Sequence, residues 1–169
     1  MEGPSVRMDV TAVPAETADL PAGLREVLGY WNRLRGDGWA PAWADFRLLD
    51  LPSPVIPFVI VLDVVPDPLD FVYRFWGTGN TAYIGYDCTG MSVRQNKLFS
   101  AKVFGECQQL VEERRPIVWF SKVVRNDGLY REYTRLRVPL SDDGEIVTHI
   151  VSAVRIEEKL DEIFTPVSG

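Results

Sequence analysis

The sequence predicts an α+β domain built on an antiparallel sheet. Three observations carry this. One amphipathic helix lies near the start, two β-patterned runs follow as a hairpin, and three more close the chain as a meander after a helical stretch. The length of 169 residues suits one domain with at most a short extension.

Residues 1–19 mix Pro, Ala, Thr and acids without periodicity and read as a flexible N-terminal arm. Residues 20–35 read as a helix. Leu24, Val27, Leu28, Trp31 and Leu34 recur at helical spacing opposite Arg25, Glu26, Asn32 and Arg33, with Pro21 suited to a first turn and Gly36 to an end. Residues 36–57 carry Pro41, Pro52, Pro54 and Pro57, which prevent regular pairing. They also carry Trp39, Trp43, Phe46, Leu48, Leu49 and Leu51, so 20–57 is expected to pack on the core as a helix and an irregular segment. The core itself is expected over 58–156. Strands at 58–65 and 70–76 flank the turn at Asp67-Pro68. The glycines of Gly77-Thr78-Gly79 let the chain turn sharply into a short helix at 81–84. A longer helix follows at 100–114, with Val103, Phe104, Cys107, Leu110 and Val111 on one face and Pro116 beyond its end. Strands at 117–125, 130–140 and 145–156 are joined by Asn126-Asp127-Gly128 and Ser141-Asp142-Asp143-Gly144, and 157–169 reads as a short terminal helix and tail.

Composition excludes several classes. Hydrophobic residues at 46% and charged residues at 25% are those of a soluble globular chain. No apolar run approaches the roughly 20 residues that span a bilayer. A net charge of −6 disfavours nucleic acid as a partner. Two cysteines, Cys88 and Cys107, make neither a disulfide framework nor a zinc site, and a reducing cytoplasm is the simplest compartment. No metal site is read.

The local words then narrow the fold. Trp31-Asn32-Arg33-Leu34-Arg35-Gly36 closes the first helix, Pro41 precedes Asp45, and Asp50-Leu51-Pro52 and Leu62-Asp63-Val64 follow. Next come Phe71-Val72-Tyr73-Arg74-Phe75-Trp76-Gly77-Thr78, Gly85-Tyr86-Asp87-Cys88-Thr89-Gly90 and Pro139-Leu140-Ser141-Asp142-Asp143-Gly144. In this order and spacing they resemble a bacterial PAS family whose members are often short, stand-alone proteins. The resemblance covers roughly residues 27–154. It implies a PAS-like five-stranded antiparallel sheet with crossover helices on one face, added to the N-terminal amphipathic helix. It also implies a non-enzymatic sensory or ligand-binding module, often a homodimer, that holds a small molecule between sheet and crossover helices. No kinase, cyclase or DNA-binding segment is read after the sheet, so the signal is expected to pass to a partner protein.

Candidate chemistry is sparse. His149, the one histidine, lies in a strand with no nucleophile read beside it. Haem is disfavoured because the crossover, 78–115, offers no histidine, and flavin photochemistry because Cys88 lacks a following Arg-Phe. Which cofactor is held, if any, is left open. Alternation places Trp119 and Ser121 inward on the third strand. On the fourth strand, Glu132, Thr134, Leu136 and Val138 are read as the inner face, and Arg131, Tyr133, Arg135 and Arg137 as a solvated row. An inward Glu132 needs a partner, and Arg74 is the candidate. The expected ligand pocket is therefore Arg74, Trp76, Asn80, Tyr83, Trp119, Ser121 and Glu132. Leu24, Leu28 and Trp31 either cover the open side of the sheet or form a dimer interface. Two alternatives to a ligand sensor stand beside it. One is a ligand-free dimeric adaptor with a filled cup. The other is a small cone-shaped α+β enzyme, which requires a buried carboxylate with a raised pKa.

Overall fold

The structure, a computed structural model, describes residues 7–96, 100–124 and 129–160. Its elements in chain order are β1 (Arg7–Pro14), α1 (Ala22–Arg35), β2 (Val59–Pro66), β3 (Leu69–Trp76), α2 (Thr78–Ile84), α3 (Ser100–Glu113), β4 (Ile117–Val124), β5 (Leu129–Leu140) and β6 (His149–Leu160). The six strands form one antiparallel sheet in the order β1-β4-β5-β6-β2-β3. Without β1, the hairpin β2-β3 lies beside the last strand of the meander β4-β5-β6. The fold is PAS-like, as the resemblance implies, with one strand added at an edge.

That added strand corrects the expectation of a loose arm over 1–19. Arg7–Pro14 pairs along the whole of β4, from Arg7 opposite Val124 to Pro14 opposite Ile117. Its residues 9–12 are exposed, so the strand is held by its backbone ladder and leaves little hydrophobic pattern. At the other end, residues 157–160 continue β6 rather than starting a helix, and 161–169 lie outside the described residues.

The sheet is covered on both faces. α2, α3 and the loops around them lie over one face, above Leu62, Phe71, Tyr73, Ile117, Trp119 and Ile150. α1 and the Pro-rich segment lie over the other, where Leu24, Val27, Trp31, Phe46 and Leu51 bury against Val61, Val118, Leu136, Val138 and Val151. The Trp31 indole N–H also donates to the Pro139 carbonyl at 2.7 Å. Of the two roles open to Leu24, Leu28 and Trp31, the structure therefore shows the cover: Leu24 and Trp31 are buried within their own chain and Leu28 packs against the same cluster. They do not form the exposed stripe that a dimer interface was expected to use.

Two local features place the cup. A β-bulge falls between Val61 and Leu62, where Val61 opposes Phe75 but Leu62 opposes Tyr73, leaving Arg74 as the extra residue. Tyr73 and Trp76, three apart, thereby face the same side, with their rings edge-on at 5.2 Å. Gly77 then caps α2 with φ −61°, an ordinary backbone conformation. The need for glycine there is close approach, not a sharp turn: a Cβ at Gly77 would collide with the Pro57 backbone, and one at Gly79 would meet the Phe58 ring at 2.8 Å.

Trp31→Ala removes a large buried ring and its hydrogen bond, and the loss expected in urea unfolding is about 3–5 kcal/mol. Leu49→Ala, at a side chain 82% exposed on the same covering segment, should stay within about 0.5 kcal/mol of wild type.

Candidate functional site

A cavity of about 360 Å³ lies between the sheet and the crossover helices. Its size sits at the lower end of small-molecule pockets, roughly 300–1,000 Å³. The strand order grades its floor. On one side, β4 and β5 contribute Val123, Tyr133, Arg135 and Arg137; in the middle, β6 and β2 contribute Val154, Ile156 and Ile60; on the far side, β3 contributes Tyr73 and Trp76. α2 adds Asn80, Tyr83 and Ile84, and α3 adds Lys102, Val103 and Glu106.

The polar chemistry centres on Glu106, which stands in the apolar stripe of α3 between Val103, Cys107 and Leu110. Its Oε1 accepts from Arg135 Nη2 at 2.6 Å. Its Oε2 accepts from Arg135 Nε at 3.3 Å and from Arg137 Nε and Nη2 at 3.2 and 2.8 Å. The Glu106, Arg137 and Arg135 side chains are only 6%, 4% and 15% exposed. Arg137 Nη1 donates to Ser152 Oγ at 2.7 Å, and its guanidinium lies over the Trp119 ring at 5.8 Å. Arg135 Nη2 also donates to Ser121 Oγ at 3.0 Å, as does Lys102 Nζ at 3.2 Å.

Burial raises the Glu106 pKa, but Arg137 and Arg135 outweigh it and hold the carboxyl below its usual 4.5. Lys102 moves from 10.5 down to about 8, first because burial disfavours the ammonium and next because Arg135 is close by. Burial also pushes the Tyr73 phenol up, against the Asn96 amide that donates to its oxygen at 3.3 Å.

The structure divides the seven expected pocket residues. Trp76, Asn80 and Tyr83 line the cavity. Trp119 and Ser121 face the same side as expected, but beneath the wall: Trp119 packs in the core under Arg137, and Ser121 is held by Lys102 and Arg135. Arg74 and Glu132 are on the opposite side of the sheet. Arg74, the bulge residue, pairs with Asp63 at 2.6 Å and lies over Trp43, and Glu132 stands opposite Lys122 in register. The proposed Arg74–Glu132 network is thereby corrected, together with the inner face assigned to β5. The row Arg131, Tyr133, Arg135 and Arg137 faces the cup, whereas Leu136 and Val138 join the core under α1.

That inversion was readable. Trp119 pairs with Arg135 and Ser121 with Tyr133, and directly opposed residues share a face. Glu106 carried a signal as well, because a carboxylate inside an apolar helical stripe requires a buried cation. His149 lies on the α1 side, stacked on Trp43 at 5.5 Å and 3.3 Å from Asp63, and neither it nor either cysteine lines the cavity.

No known family model matches the sequence, and no curated protein does. Among solved structures, the chain is similar to a light-oxygen-voltage domain studied with a flavin analogue, at TM-score 0.41 and 16% identity over 59% of this chain and 76% of that one. It is also similar to an RNA-binding light-oxygen-voltage receptor, at TM-score 0.46 and 16% identity over 91% of this chain and 39% of the receptor. At these scores the likeness adds nothing to the strand order itself, and the flavin analogue and the RNA belong to those proteins.

Glu106→Gln should leave Arg137 buried beside a neutral partner and cost about 3–5 kcal/mol at neutral pH in chemical unfolding. Because the folded carboxyl titrates below 4.5, this contribution is present above that pH and is lost as pH falls through the depressed folded value. The gap between wild type and Glu106→Gln should therefore hold from neutral pH down to about 5 and shrink below it. A gap that does not change with pH would place the stabilisation elsewhere.

Proposed function

We propose that this chain is a non-enzymatic PAS-like sensory module that takes a small organic molecule into the cup and signals to a partner protein. The observation that carries the reading is the cavity: about 360 Å³, walled mainly by apolar and aromatic side chains, with a few convergent polar groups. It lies between sheet and crossover helices, where the PAS resemblance puts a ligand. The ligand-free adaptor was expected to have a filled cup, and this cup is open. A cone-type enzyme needs a buried carboxylate whose pKa is raised, whereas Glu106, the carboxylate at the cavity, is held down by two arginines. A homodimer remains part of the proposal, through a surface other than Leu24, Leu28 and Trp31. No helix among the described residues is long and apolar enough to cross a membrane.

Occupancy of the cup would bias whichever arrangement of sheet and covering helices the bound molecule fits best. Native mass spectrometry of the purified chain, before and after incubation with a protein-free cell extract, should show a non-covalent small mass that denaturation removes. Val103→Trp, which puts an indole into the cavity from α3, should lose that mass while keeping the wild-type circular dichroism spectrum. A bare mass under every condition would return the adaptor reading, and a mass retained by Val103→Trp would place the ligand outside the cup.

A further inference from the structure

Among the described residues, the two guanidiniums at the cup outnumber the carboxylate they clamp. Both oxygens of Glu106 are taken up by Arg135 and Arg137, so this cluster of one carboxylate and two guanidiniums keeps a net positive charge. Arg137 spends its remaining terminal nitrogen on Ser152. Arg135 does not: Nε and Nη2 bind Glu106 and Ser121, and Nη1 meets no hydrogen-bond acceptor among the described residues. Every buried side-chain polar atom among those residues has a partner, so this nitrogen is open to the cavity that Arg135 lines. Lys102 adds a further cation on the same wall, donating to the same Ser121 hydroxyl as Arg135.

A cation on a cavity wall, away from bulk water, is stabilised by an anion that can reach it. A bare inorganic anion would leave the rest of the floor in contact with water. From the arginines the floor runs over Val154, Ile156 and Ile60 to the Trp76 ring, so the favoured occupant is charged at one end and apolar along its body.

We propose that the molecule held in the cup is a small aromatic carboxylic acid, bound as its anion. The carboxylate meets Arg135 Nη1 beside Lys102, and the ring lies over Val154, Ile156 and Ile60 towards Trp76. This deepens the ligand-sensor reading and rests on it. Glu106 does not repel such a ligand, because its charge is already exceeded by the two guanidiniums that clamp it. The lowered pKa of Lys102 agrees, since crowding by Arg135 is part of its cause and a nearby anion relieves it.

The test compares each acid with its uncharged isostere by calorimetry at neutral pH: 2-naphthoate with 2-naphthamide, and 3-phenylpropionate with 3-phenylpropanamide. In at least one pair the acid should bind once per chain and at least about tenfold tighter than the amide, the margin of one charge-assisted hydrogen bond. Arg135→Met should bring the acid to the affinity of its amide and leave the amide within about twofold of wild type. If Arg135→Met does not fold, Lys102→Met carries the test with a loss of preference of at least about threefold. Equal affinities for acid and amide in wild type, or a preference that survives in the folded variants, overturn the acid while leaving the cavity reading standing. If neither member of either pair binds, the acid is overturned, and the mass measurement on Val103→Trp then decides the cavity reading by itself.

Discussion

The ion triad of Glu106, Arg135 and Arg137 is the constraint around which the cup is arranged. It ties α3 to the middle of the sheet through four hydrogen bonds at a depth where none of the three groups could stand alone. Replaced by well-packed apolar residues of like volume, such a cluster is often no less stable, so stability does not explain its presence. It does something that apolar packing would not. It holds Glu106, Arg135 and Arg137 together so that polar groups stand at the edge of the cavity.

The sheet serves two cores through one strand. On β5, Arg135 and Arg137 face the cup while Leu136 and Val138, the residues between and after them, belong to the cluster under α1. The next carbonyl, that of Pro139, accepts from Trp31 on α1. The cavity wall and the seat of the N-terminal helix are thus alternate residues of one backbone. The β-bulge at Arg74 does the matching work at the far edge. It turns Tyr73 and Trp76 to the same side and sends Arg74 out to Asp63 and Trp43.

Much of this was legible in the sequence, for physical reasons that differ by element. α1 announced itself through Leu24, Val27 and Trp31 at helical spacing, and the hairpin and meander through alternation between turn residues. β1 did not, because an exposed edge strand is held by backbone hydrogen bonds that leave no side-chain pattern. Trp76, Asn80 and Tyr83 line the cavity because the chain turns into α2 immediately after β3 and carries them to the wall. Arg74 and Glu132 were misplaced for two separate reasons. The bulge shifts the parity of β3, and on β5 the apolar Leu136 and Val138 point to a core on their own face without showing that a second covered face lies under the arginines. The strand pairing removes the second error: once Trp119 is inward, its partner Arg135 is inward too.

The cost of that arrangement is what makes the cup informative. Arg135 and Arg137, turned toward the interior, have to be desolvated, and the carboxylate of Glu106 balances only one of their two charges. Had packing been the sole requirement, the sequence pattern that gives Leu136 and Val138 on one face of β5 could have given aliphatic residues on the other. The chain instead keeps cations where an apolar floor begins, with Val154, Ile156 and Ile60 leading away from them. Local rules are most often broken at functional sites. Here the break is a buried excess of positive charge beside an open apolar volume, and an amphiphilic anion is the complement that resolves both at once.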